Sequence, residues 1–434
     1  MPHLPPTHAP FTGTVLSTPP AGITIMTPTT IAAAPTRSTD FRAIGLIGAA
    51  HFVSHVYMLV LPPLFPYVRA EFNVSYLELG SVIAVFNIIS AVLQTPAGFL
   101  VDRTSARTVL IGGLLIGSAA LAAAGLVSGF LAFGVMFALL GLANTVYHPA
   151  DYALLSNRIS GPRLSQAFSI HIFAGFIGTA LTPAAMIMLA SSLGWRGAFL
   201  ATAILGFVVA LALMAFGGPL AGREAARAKA ATGGTAPGAG DWRVLMTWPV
   251  MLNLLFFVLI SGVSVGVQNY SIVALQALWG TPISFGTTAL TAYLLCSAFA
   301  VLAGGWITTR THRHDLVATT GLALSGFTLL PVAFFDLGAA LLLFFMGLSG
   351  FFNGALQPSR DMIVRQVTPP GAFGRVFGFV TTGFNIGGII APPAFGYMMD
   401  SGSPRAIFIG SALLSLAAIP TVMATVANRP RKAA

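Results

Sequence analysis

The sequence predicts an all-α polytopic membrane protein with twelve transmembrane helices in two pseudo-symmetric six-helix bundles. Three observations carry that reading. Of 434 residues, 56% are hydrophobic and only 7% charged, against roughly 25% charged in a soluble globular domain, and the mean hydropathy is +0.86. The apolar residues fall into twelve long runs, each supplying the roughly 20 residues that a membrane-crossing helix needs. The second half of the chain also repeats marks of the first at a constant offset.

Residues 1–40 read as a disordered cytoplasmic tail, with eight prolines, ten threonines and no helical periodicity. A cleaved secretory leader needs an early basic region; the first Lys or Arg is Arg37. Residues 41–217 form the N-terminal bundle, with spans at about 43–67, 77–101, 108–128, 130–157, 165–191 and 197–217. Residues 218–247 combine Arg223, Arg227, Lys229 and Arg243 with a Gly/Ala run, the composition of a cytoplasmic linker. Residues 248–428 form the C-terminal bundle, with spans at about 248–278, 286–308, 315–335, 337–362, 373–399 and 404–427, and 429–434 are a basic tail. The runs are continuously apolar with no period-2 alternation, so they are helices and not barrel strands.

Lys and Arg set the orientation. With the amino terminus inside, eighteen of the 21 fall on the inner side and only Arg69, Arg196 and Arg405 on the outer. That asymmetry is the positive-inside pattern, with both termini cytoplasmic in an inner (plasma) membrane. The net charge of +10 is then topology, not affinity for nucleic acid. The single cysteine, Cys296, excludes a disulfide framework and a Cys-ligated metal site. Neither a phosphate-binding GxxxxGK[ST] loop nor an HExxH zinc pattern occurs, so the chain itself is expected to be neither an ATP-driven pump nor an enzyme. No cofactor is expected.

At an offset of 209, Asn144 and Pro149 map onto Asn353 and Pro358, and Phe168, Gly178 and Pro183 onto Phe377, Gly387 and Pro392. Arg196, Phe199 and Ala203 map onto Arg405, Phe408 and Ala412. Duplicated halves are the mark of alternating-access carriers, whose substrate binds near mid-membrane between them.

The stretch Gly98-Phe99-Leu100-Val101-Asp102-Arg103, followed by Arg107, resembles the signature loop of the major facilitator superfamily; its second-half copy, Gly305 to Arg310, lacks the acid. Within that superfamily the chain is most similar to the fosmidomycin-resistance family of drug exporters. The likeness rests on Phe52-Val53-Ser54-His55, Phe65-Pro66-Tyr67-Val68-Arg69-Ala70-Glu71-Phe72, Leu93-Gln94-Thr95-Pro96 and Tyr147-His148-Pro149. The resemblance implies secondary transport, with proton-driven export of a small organic solute by a monomer and with protons, the solute and lipid as partners. Related exporters carry an acid one turn after the first-helix histidine, where this chain has Met58 and Leu59.

Ionisable side chains inside a bilayer cost about 2.5–3.5 kcal/mol on insertion scales and usually face a cavity. His51 and His55 lie at i, i+4 on one face of the first span, and a histidine titrates near physiological pH. The spacing also suits a metal pair, but further ligands are not evident and no metal is expected. In the fourth span Pro149 loosens the helix, and His148 and Asp151 at i, i+3 are expected to share a proton. Asp151 could instead pair with Arg158 or Arg163. His55, His148 and Asp151 are therefore the expected proton-coupling groups. Gln357-Pro358-Ser359-Arg360-Asp361 is the pseudo-equivalent in the tenth span, where Arg360 replaces Asp151. Its planar fork of donors suits an anion, unless Asp361 closes it off or it anchors the cytoplasmic interface. His51, Asn87, Tyr147, His171, Gln268, Asn269, Asn353, Gln357 and Asn385 complete the expected substrate-binding set, with interhelical hydrogen bonds as the structural use of each.

Asp102, Arg103 and Arg107 are expected to form a gate, with the carboxylate capping the positive N-terminus of a helix near residues 373–377. The alternatives to proton-coupled export are proton-symporting import of an organic anion and, on the same fold, a non-transporting sensor that would have lost its gate and cavity polar groups.

Overall fold

A computed structural model describes residues 37–159, 161–221, 242–369 and 372–428. The tail up to residue 36, most of the linker with Arg223, Arg227 and Lys229, and the basic end with Arg429, Arg431 and Lys432 lie outside the described residues. The helix that begins the first span, α1 (Arg37–Leu59), starts inside what composition assigns to the tail. Asp40 explains the early start. It lies in the first helical turn, where a carboxylate is favoured by the helix dipole, and it is buried against Arg163 Nη1 at 2.6 Å.

A 3-10 turn (Pro62–Leu64) leads into α2 (Phe65–Phe72), which ends on Asn73 in the left-handed region. α3 (Tyr76–Arg103) begins with a capping box, the Ser75 hydroxyl accepting from the Glu78 amide and the Glu78 carboxylate from the Ser75 amide. α4 (Ala106–Ala124) follows, then α5 (Phe130–Asn144) and α6 (Tyr147–Arg158). The break between α5 and α6 falls where Pro149 cannot donate, and the amides of Thr145 and Val146 turn instead to Leu142 and Ala143 three residues back.

α7 (Gly161–Phe216) is continuous in register for 56 residues except at Gly194, with φ 71° and ψ 165°. At 1.5 Å per residue its length is about 84 Å, far beyond the roughly 30 Å of one hydrocarbon crossing. Gly194 therefore divides it into two spans, as the sequence reading placed them. Among the described residues eleven helices are long and apolar enough to cross a membrane, and that division makes twelve crossings.

α8 (Gly218–Ala221) and a 3-10 turn (Trp242–Met246) flank the undescribed linker residues. α9 (Trp248–Trp279), α10 (Ile283–Arg310) and α11 (His314–Phe334) follow. α12 (Gly338–Ala355) and α13 (Gln357–Val367) repeat the proline-linked break, and α14 (Phe373–Asp400) and α15 (Arg405–Ala427) complete the chain. Among the described residues there is no strand.

In the first half α1 and α4 pack on α7, α5 on α3 and α4, and α6 on α1. In the second half α9 packs on α14 and α15, α10 on α12, and α11 on α12 and α15. Two seams join the halves, α3 against α14 and α7 against α10.

The α3–α14 seam is tightest at one end. A Cβ on Gly80 would lie 2.4 Å from the Pro392 carbonyl, and one on Gly396 would lie 2.4 Å from that of Tyr76, so only glycine lets these backbones meet. The Asp400 carboxylate accepts from the amides of Tyr76 (3.0 Å) and Leu77 (2.8 Å), the free donors at the start of α3. Asn87 Nδ2 donates to Gly388 O at 2.9 Å. Toward the Asp102 end the helices part: Gln94, Thr95, Phe99 and Leu100 are exposed, and a Cβ on Gly98 or Gly378 would meet nothing within 4 Å.

Hydrogen bonds to a charged group contribute about 1.5–3 kcal/mol each, so Asp400→Ala should loosen the closed end. Spin labels at the exposed Leu77 and Tyr397 should show one short separation in the parent and a second, longer population in the variant. An unchanged distance distribution would refute the latch.

Candidate functional site

α1, α6 and α7 bring five ionisable groups into the interior of the first bundle. α1 supplies His51 and His55 from one face, α6 supplies His148 and Asp151 just past the helix break, and α7 supplies His171. Asp151 has no exposed side-chain surface, with its Oδ2 3.3 Å from His51 Nδ1 and 4.0 Å from His171 Nε2. The His51 and His171 rings stack at 3.7 Å between centroids. His55 and His148 flank His51 edge-on at 4.6 and 5.3 Å. His55 Nδ1 pairs with Thr179 Oγ1 at 2.8 Å.

Gly175 makes room for the cluster. A Cβ there would lie 2.7 Å from Nε2 of both His51 and His55. One turn on, a Cβ on Gly178 would lie 2.6 Å from the Phe52 carbonyl, so α1 and α7 touch backbone to backbone.

The sequence reading paired Asp151 with His148, or with Arg158 or Arg163. The structure pairs it with His51 and His171. Arg163 holds Asp40, and the buried Arg158 donates to the Leu220 carbonyl. His51, expected at the substrate, sits instead at the centre of the cluster. Both Asp151 oxygens, His51 Nδ1, His148 Nδ1 and both His171 nitrogens are buried without a well-aligned hydrogen bond among the described residues. An isolated buried carboxylate costs several kcal/mol, so these imidazoles are what keep it tolerable.

His51, His148 and His171 are the residues that could hold a metal, each bringing a ring nitrogen within 4.8 Å of the others. Tetrahedral zinc bonds of about 2.0–2.1 Å place their ligands about 3.4 Å apart. Here the atom that His51 and His171 both approach is Asp151 Oδ2. The set is imidazoles gathered around one carboxylate and not a preformed metal cage.

The other expected substrate groups divide. Asn87 spends its amide nitrogen on Ile83 and Gly388, clasping the seam. Tyr147 is buried behind the site, near Gly117. Gln268, Asn353, Gln357 and Asn385 are half-buried and Asn269 buried, with side-chain amides that make no hydrogen bond among the described residues. A hollow of about 390 Å³ between α1 and α7 is lined by Ile44, Phe52, Ile170 and Val209 and offers no polar side chain.

Arg360 lies on α13 with its guanidinium over the rings of Phe257 (4.9 Å) and Phe384 (5.3 Å) and its Nε 2.8 Å from Asp361 Oδ1. The Tyr152 ring lies 5.9 Å from that of His148 and 5.7 Å from that of His171. Sequence reasoning passed over Tyr152 because an aromatic in a chain with 33 Phe carries little signal. It passed over Asp400 as well, although an acid at a helix end in a chain with only 11 was a usable clue.

The expected gate is not engaged in this conformation. Asp102 and Arg103 are exposed, and Asp102 makes no ion pair or hydrogen bond among the described residues. Arg107 donates to the carbonyls of Leu213 and Met214, tying α4 to the end of α7. Gly262-Val263-Ser264-Val265-Gly266 has the GxSxG spacing of a hydrolase elbow, but it lies within the continuous helix α9 and lacks the strand-to-helix turn that exposes such a serine.

The family model of the Major Facilitator Superfamily matches residues 47–275 and 254–434. The fosmidomycin resistance protein of Escherichia coli (strain K12) is 24% identical over 389 residues, 88% of this chain and 93% of that protein. The probable L-galactonate transporter of the same strain is 26% identical over 144 residues, 33% of this chain and 32% of that protein. The structure of a bacterial homolog to human lysosomal transporter Spinster superposes with a TM-score of 0.75 at 11% identity, covering 92% of this chain and 100% of that one. With its duplicated helical halves and a family match running almost end to end, the chain belongs to the major facilitator superfamily and is a multi-pass membrane transporter, not an enzyme.

Proposed function

We propose that this transporter exports a small organic solute in exchange for protons, as a monomer in the inner (plasma) membrane with both termini cytoplasmic. The observation that carries the reading is Asp151, fully buried yet within 4.0 Å of two imidazoles. A carboxylate in that setting has a reason to exist if it changes its proton, because a purely packing position would be better filled by an apolar side chain. The resistance function in the E. coli relative's name supports export.

The positive-inside orientation puts the Asp102 end in the cytoplasm, so the conformation described here opens inward and is latched outside by Asp400. Solute enters between the bundles and meets the uncommitted amides of Gln268, Asn353, Gln357 and Asn385. A proton taken up by the His51–Asp151–His171 cluster, with His55 and His148 beside it, neutralises the buried acid and changes which state of the rocking bundles is stable. In the outward-open state Asp102 caps the start of α14, the contact that is open here. The two bundles, 41–217 and 248–428, joined by the linker at 218–247, rotate against each other.

Proton-symporting import of an organic anion is the second reading. Arg360, whose terminal nitrogens make no hydrogen bond among the described residues, and the apolar Met58 and Leu59 in place of an acid favour it.

Transport in proteoliposomes with an imposed pH gradient, screened over organic anions and cationic drugs, decides direction, coupling and substrate class. Asp151→Asn should lower gradient-driven accumulation at least tenfold while leaving counterflow exchange measurable, and His51→Ala should do the same. Unchanged uphill transport in both variants would rule out the proton role. Asp102→Asn should deplete the outward-open state, reducing outside labelling of Ala391→Cys in a Cys296→Ser background at least twofold; equal labelling with and without the Asp102 change would sink the gate.

A further inference from the structure

Asp151 and Arg360 stand at equivalent positions in the two halves, 209 residues apart. The duplicated fold thus presents an acid from one bundle and a base from the other. The acid is enclosed by imidazoles. The base is held differently: Phe257 and Phe384 lie along the guanidinium at 4.9 and 5.3 Å, and only its Nε contacts Asp361.

That pairing is a single hydrogen bond and not a bidentate fork. Successive residues on a helix point about 100° apart and do not face each other, so Asp361 reaches Arg360 from the side, through Nε. The two terminal nitrogens, which form the strong fork with an oxyanion, make no hydrogen bond among the described residues. The Arg360 side chain is 13% exposed and that of Asp361 43%. The cation is therefore the buried partner, packed on aromatic rings, while its counter-ion is the more exposed one.

We propose that Arg360 is the anchor of an anion subsite that takes a small organic oxyanion, a carboxylate, sulfonate or phosphonate carried on an apolar or aromatic body. This deepens the carrier reading and rests on it. The oxyanion pairs with the terminal nitrogens of Arg360, and its apolar body lies against the half-buried Phe384, while the fully buried Phe257 backs the guanidinium. Asp361 is the internal competitor, and the incoming anion displaces it. An arginine is required here because lysine has no planar fork and stacks less well on aromatic faces.

The test uses the purified full chain and four probes, benzoate, benzenesulfonate, phenylphosphonate and the neutral analogue benzamide, with binding measured by calorimetry. At least one of the three anions should bind and benzamide should not. Asp361→Asn, which removes the competitor, should tighten anion binding about tenfold. Arg360→Gln should abolish it, and Arg360→Lys should weaken it about tenfold. The opposite signs at adjacent residues are the signature, since a merely structural ion pair would lose binding from either side. Equal binding of benzamide, no binding of any anion, or weakening by Asp361→Asn in a folded protein would overturn the subsite. Should Arg360→Gln fail to fold, Asp361→Asn and Arg360→Lys decide the question. Cation-only transport in the proteoliposome screen would overturn the anion subsite and leave the carrier reading standing, whereas the absence of any solute flux would overturn the carrier reading itself.

Discussion

A carboxylate with no exposed surface, set inside a bundle that lipid surrounds, is the constraint around which the first half is built. Asp151 has no exposed side-chain surface, and among the described residues no arginine or lysine pairs with it. Its tolerance depends on His51 and His171, and their positions depend on backbone features that look unrelated to charge. The break at Pro149 sets the start of α6 and the direction in which Asp151 leaves it. Gly175 removes the one side-chain carbon that would collide with both histidines of α1, and Gly178 lets α1 and α7 approach until the imidazoles reach across. Each of these small residues would read as generic membrane packing in isolation. Together they hold a polar cluster that hydrocarbon would otherwise expel.

The second constraint is the seam between α3 and α14, where each helix offers an acid at the end opposite to the other's. Asp400 closes one end by accepting the first amides of α3. Asp102, at the far end of α3, is exposed and unpaired among the described residues. Glycines at 80 and 396 bring the backbones together at the closed end, whereas the glycines at 98 and 378 face empty space. Closing both ends together would require the two helices to touch along their whole length, leaving no room for a solute between the bundles. Polar caps suit this seam better than a large apolar contact, because they release at modest cost.

The interior of the two halves is not symmetric in chemistry. The duplicated break before α6 and α13 places equivalent positions alike, yet one carries Asp151 within a nest of imidazoles and the other Arg360 between phenyl rings. In the first half the Tyr152 ring lies 5.9 Å from that of His148 and 5.7 Å from that of His171, and in the second Asp361 accepts from Arg360.

Much of this was legible in the chain. The spans, the break near Gly194, the paired prolines and the offset of 209 are local or periodic features, and a membrane enforces them strictly because every backbone donor must be satisfied within its own helix. The residue types of the polar cluster were also visible, since charge is so scarce here that each buried titratable group stands out. Partner choice was not visible. The i, i+3 spacing put His148 and Asp151 on one face, but distance across an interface belongs to helix rotation and approach, and those turned Asp151 toward His51 and His171. Asn87 and Tyr147 went to helix packing for the same reason, and Asp400 found its partner 324 residues away. One-dimensional pattern determines which segments cross a membrane and which side chains are too costly to be there idly. Only the packed bundle decides which of them touch, because contact between helices is set by where the backbones can come close, and that depends on missing atoms, such as the absent Cβ of Gly175.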